Sequence, residues 1–96
     1  MVFAATYRFH EIDGAARKRS LQLFMAWQPP FAFKAHYARA DGQGGIAIIE
    51  ADDPATLFEG ISPWTEYFEF DLVPVLPVEE SVPVSLRMNE WKDSIG

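Results

Sequence analysis

The apolar pattern divides this chain into six periodic segments, and their order is what most limits its fold. Alternation, the mark of a strand, runs over Val2–Phe9, Phe31–Arg39, Ile46–Ala51 and Phe68–Leu76. Helical spacing separates the first strand from the second and the third from the fourth. Strand, helix, strand, strand, helix, strand is the split βαβ or ferredoxin-like order, an α+β fold built on a four-stranded antiparallel sheet. At 96 residues there is room for one domain and one such unit.

Each segment carries its own signals. In the first strand Phe3, Ala5, Tyr7 and Phe9 share one face and Val2, Ala4, Thr6 and Arg8 the other. Both faces are largely apolar, as in a central strand covered on two sides. Asp13 is placed to cap a helix from Gly14 to about Gln28, with Ala16, Ser20, Leu23, Phe24 and Trp27 forming its buried stripe. Arg17, Lys18 and Gln22 fall away from that stripe, and Pro29-Pro30 ends the helix. In the second strand Phe33, Ala35 and Tyr37 lie on one side, Lys34 and His36 on the other. The run Asp41-Gly42-Gln43-Gly44-Gly45 turns the chain into the third strand. Asp53-Pro54 starts a short second helix with Leu57, Phe58 and Ile61 inward. Gly60 weakens this helix and Ser62-Pro63 interrupts it. Pro74 removes a ladder donor, which suits the edge position the topology gives the last strand. Residues 1–80 therefore form the domain. Residues 81–96 fit either a strand or a helix, and Leu86, Arg87, Met88, Glu90 and Lys92 favour an amphipathic helix packing on the domain or on a partner subunit.

Composition narrows the function classes. Fourteen acidic residues against eight basic ones give a net charge of −6, which repels a phosphate backbone or an anionic bilayer. No apolar run is long enough to span a membrane, and no leader pattern opens the chain, so a cytoplasmic protein is expected. Cysteine is absent, which removes disulfides, thiolate metal sites, a Cys nucleophile and all-Cys iron–sulfur ligation. No cofactor motif is present, and no cofactor is expected. Aromatic residues make up 15% of the chain, many for so small a core, so some are expected to be covered by a second subunit.

A set of short motifs occurs in a telling order. It runs through Gly44-Gly45, Glu50 with Asp52-Asp53, Ser62-Pro63-Trp64, Phe70, Pro74-Val75, Pro77-Val78-Glu79-Glu80 and Glu90-Trp91-Lys92-Asp93-Ser94. Over nearly its whole length the chain resembles the DUF3303 family of small bacterial proteins of unknown function. The resemblance implies a ferredoxin-like unit similar to the dimeric α+β barrel proteins, and hence a homodimer. It implies no catalytic residues.

Four residues are the candidates for a ligand site: Tyr7, Arg8, His36 and Trp64. His36 is a general base if it faces the space between sheet and helices, since its ordinary pKa lies near neutrality, and a bonded surface histidine otherwise. Arg8, if buried, needs Glu50, Glu69 or Asp71 as partner. Trp64 follows Pro63 at a helix end, where a ring forms the lip of a cleft. His10, Glu11 and Asp13 are too few and too close in sequence for a metal site, and none is expected. Three functions fit. A dimeric protein could hold a hydrophobic small molecule between sheet and helices. A cofactor-independent oxygenase or isomerase would use His36, Tyr7 and Arg8. A structural module would consume both sheet faces in assembly. Catalytic residues and substrate are not legible at this stage.

Overall fold

The computed structural model describes residues 1–96. Its elements are β1 (Val2–Phe9), α1 (Gly14–Ala26), β2 (Ala32–Ala38), β3 (Gly44–Glu50), α2 (Pro54–Ile61), β4 (Phe68–Val75) and α3 (Val78–Ile95), with a 3-10 turn at Ser62–Trp64. The strands form one antiparallel sheet in the order β2-β3-β1-β4. This is the ferredoxin-like α+β order expected from the pattern, and Pro74 lies on an edge strand. No helix is long and apolar enough to cross a membrane.

The helix starts follow from their caps. The Asp13 carboxylate accepts from the Ala16 amide at 2.8 Å and that of Asp53 from the Thr56 amide at 2.7 Å. α1 ends at Ala26, before Pro29, because Trp27 has already turned to extended backbone. α3 begins at Val78 instead of Ser81, with Pro77 as its cap residue and Glu79 and Glu80 in its first turn. Pro83 sits inside it and leaves the Glu79 carbonyl without its helical donor.

The core lies on one face of the sheet. Phe3, Ala5, Ala47 and Ile49 meet Phe31 together with Leu57 and Ile61 of α2. Gly60 serves this contact. A Cβ there would fall 2.2 Å from the Phe31 ring, so the residue that weakens α2 also lets the ring lie against it. The other sheet face is uncovered: Thr6, Arg8, Tyr37, Ile46, Asp71 and Val73 are all exposed. No residue of α3 is buried.

One register irregularity decides the side on which His36 lies. Phe33 pairs with Ile49 and Ala35 with Ile48, so Lys34 is an extra residue in β2. Beyond it the alternation flips. His36 joins Phe33 on the helix face, opposite Ala47, while Ala35 and Tyr37 turn outward. The simple alternation of the sequence had separated Phe33 from His36.

Gly60→Ala is expected to lower unfolding stability in urea by about 1–3 kcal/mol, despite the better helix propensity of alanine. An unchanged midpoint would show that Phe31 relaxes freely.

Candidate functional site

Between α1 and the helix face of the sheet lies a cavity of about 550 Å³. That is within the range of small-molecule sites, roughly 300–1,000 Å³. Its floor is small. Ala5 and Ala47 pair directly at its centre, and Gly45 pairs with Tyr7 one row further on. Its walls are rings. Phe24 and Trp27 approach Trp64 with centroids 6.2 and 5.1 Å apart, and Tyr7 meets Phe68 edge-on at 5.0 Å. Small residues beneath large ones hold α1 off the sheet and leave the space open.

At one end, the Tyr7 hydroxyl lies 2.6 Å from His36 Nε2. The two residues are on β1 and β2, with β3 between them. Tyr7 reaches across because Gly45 has no side chain: a Cβ there would sit 2.3 Å from the hydroxyl. Phe33 stacks on the His36 ring at 4.4 Å, nearly parallel, and fixes its plane. Burial pushes the Tyr7 pKa up and the His36 pKa down. Both groups are therefore neutral at neutral pH. One proton lies between them, given by the hydroxyl or by Nε2 according to the imidazole tautomer.

At the other end stands Arg17. Its guanidinium lies 4.3 Å from the centroid of the Phe9 ring and donates to Gln43 Oε1 at 3.3 Å. No carboxylate pairs with it; the two ion pairs of the molecule are Met1–Glu50 and Arg39–Asp41. With His36 neutral, Arg17 is the only charged side chain that lines the cavity. Arg17, Ser20, Leu21 and Phe24 face it together, at the i, i+3, i+4, i+7 spacing of one helix face. The sequence reading had turned Arg17 to solvent. The signal was present, since Ser20 belongs to both stripes, but the apolar residues at 16, 23 and 27 outweighed it.

Of the four candidates from sequence, Tyr7, His36 and Trp64 line this one cavity. Arg8 does not. Alternation along β1 carries it to the opposite face, where it is exposed and lines a polar groove with Arg39, Glu69 and Asp71. It pairs in register with Glu69 but forms no ion pair. Trp64 is a buried wall, at 6% exposure, and not a lip. Its Nε1 has no hydrogen-bond partner. His10 bonds through Nε2 to the Thr65 carbonyl at 3.0 Å, and Asp13 is occupied in its cap. No group of three or more His, Asp or Glu side chains is placed to hold a metal ion.

The lowered His36 pKa has a pH consequence. The unfolded chain gains this proton near the ordinary 6.5, before the folded protein does. Stability is therefore full above 6.5 and declines as pH falls through it, levelling off once folded His36 is protonated as well. Thermal melts between about pH 8 and pH 5 are expected to fall further for the wild type than for His36→Gln. Parallel curves would mean that His36 titrates as it does in the unfolded chain.

No curated protein matches the chain. Residues 1–89 match the family model of DUF3303, a domain of unknown function, and the chain belongs to that family.

Proposed function

We propose that this protein, as a homodimer, binds a hydrophobic small molecule in the cavity between the sheet and α1. The observation that carries this reading is an aromatic cavity of about 550 Å³ in a chain with only 14 buried residues. A domain so short of core loses stability by leaving apolar walls unfilled, and a ligand restores those contacts. The polar groups are few and sit apart, as in sites that bind an apolar body and orient it. Arg17 adds a preference for a ligand with an anionic end, because it is a charge without a counter-ion at an apolar wall. Trp64 Nε1 adds a donor still to be satisfied. A purely structural module has no use for such a space.

A second reading rests on the Tyr7–His36 contact. A neutral imidazole facing an apolar cavity is the form that accepts a proton, and the tyrosine hydroxyl beside it orients the ring. A cofactor-independent oxygenase or isomerase would use this pair on a ligand carrying an acidic C–H or O–H group. Arg8, on the far face, has no part in it.

Two fluorescent probes test the binding reading. Anilinonaphthalene sulfonate and N-phenyl-1-naphthylamine share an aromatic body, and only the first carries a charge. Both are expected to bind, and Leu21→Trp, which fills the cavity from the exposed side of α1, is expected to abolish both signals without lowering the melting temperature. Arg17→Ala is expected to weaken the sulfonate about tenfold and to leave the neutral probe as it was. Binding that survives Leu21→Trp would place the probes elsewhere and remove the cavity reading.

A further inference from the structure

The molecule is much less compact than its length allows. Its radius of gyration is 17.8 Å, where a globular chain of this length has about 12.5 Å. It exposes 7017 Å², where a compact monomer of its mass exposes about 5,600 Å². The surplus is roughly 1,400 Å². Two exposed surfaces contribute to it: the uncovered face of the sheet, and α3, of which no residue is buried.

We infer that both belong to one interface with a second copy of this chain: the open sheet faces pack together, and α3 of each copy is an arm that grips the other. The inference rests on the homodimeric reading above and adds the part α3 plays in it.

The arm is held out by its own sequence. Pro77, at φ −58° and ψ 144°, stiffens the junction, and it keeps Leu76 from the helical conformation. The long dimension of the molecule, 61 Å, is close to that of an eight-residue strand and an 18-residue helix laid end to end, each about 27 Å. The helix thus runs onward from the sheet and does not fold back over it.

The surface of α3 is made for burial. At 3.6 residues per turn, Val78, Val82 and Leu86 form one apolar stripe and Val84, Met88, Trp91 and Ile95 a second. Ser81, Ser85 and Lys92 separate them on one side, Asn89 and Asp93 continue the first stripe toward the C-terminus, and Glu79, Glu80, Arg87 and Glu90 lie on the remainder of the circumference. Trp91 is 59% exposed. Two apolar stripes on a projecting helix, one over residues 78–86 and one over 84–95, need a surface to cover them, and the chain's own domain buries neither.

The second copy is the occupant that fits the area and the charge. Hiding the surplus on both copies would bury about 2,800 Å² in total, within the roughly 2,000–5,000 Å² of obligate homodimers. The sheet face carries Ile46, Val73 and Val75 beside Arg8, Glu69 and Asp71, so it presents apolar area and both signs of charge. A face that carries apolar area and both signs of charge has the composition that an isologous twofold contact with a second copy needs.

The test measures solution mass by light scattering for three full-length proteins: wild type, a sheet variant (Ile46→Glu with Val73→Glu), and an arm variant (Met88→Glu with Trp91→Glu). All the changed residues are exposed, and circular dichroism melts verify that each variant folds. The wild type is expected at twice the chain mass, with both variants dissociating at least about tenfold more readily. A dimeric wild type with an unaffected arm variant leaves the pairing and overturns the role of α3. An unaffected sheet variant overturns the shared interface. A monomeric wild type overturns both. Cross-linking a mixture of isotope-labelled and unlabelled chains adds the direction of the contact, since Lys92 is the only lysine of α3. Its links to Lys18 or Lys34 are expected to join heavy to light chains, and links confined to one chain overturn the arm.

Discussion

The passage of the Tyr7 side chain over Gly45 is the contact on which this architecture turns. It lets a residue of β1 reach His36 on β2 across the strand between them. On the helix face it covers the row where β3 has no side chain of its own. It also sets the character of the space above, because the ring that crosses becomes a wall and its hydroxyl becomes one of the few polar points inside. A methyl group on Gly45 would meet the hydroxyl at 2.3 Å and the Tyr37 carbonyl at 2.6 Å, so both the contact and the strand pairing require its absence. Sheet geometry and site chemistry are therefore one constraint.

The two ends of the cavity hold polar groups in different ways. Tyr7 and His36 satisfy each other, and burial disfavours the charged form of each. Arg17 is a cation, and the Phe9 ring and Gln43 lie against it at a half-buried position. A neutral acid–base pair and a fixed cation lining one apolar space form a polarity gradient. For the ligand proposed above, such a gradient would set an orientation before any specific hydrogen bond is made.

Much of the fold was legible because alternation and caps are local. Asp13, Asp53 and the glycine turn punctuate the chain where the elements begin, and Pro74 marks its edge strand from sequence alone. What was not legible needed a second element to decide it. The extra residue at Lys34 becomes visible only when β2 is laid against β3, and it alone determines that His36 faces the helices. The rotation of α1 is similar. Arg17 and Trp27 both line the cavity, because α1 ends at Ala26 and Trp27 is no longer bound to the helical spacing that would set it apart from Arg17. Arg8 shows the opposite case, since its parity along β1 already put it on the face away from Tyr7. Trp64 was singled out for its place after Pro63, but its burial comes from Phe24 and Trp27, which only the folded chain brings to it.

The central position of β1 sets a schedule for assembly. This strand is made first, yet both its neighbours come late: Val2 pairs with Glu50 on one side and with Val75 on the other. The only strand pair joined by a short turn is β2–β3, so that hairpin forms early and locally. The first strand, apolar on both faces, must wait for it, and must wait longer for β4. The β1 segment stays without a sheet partner until residues 44–50 and then 68–75 have followed it.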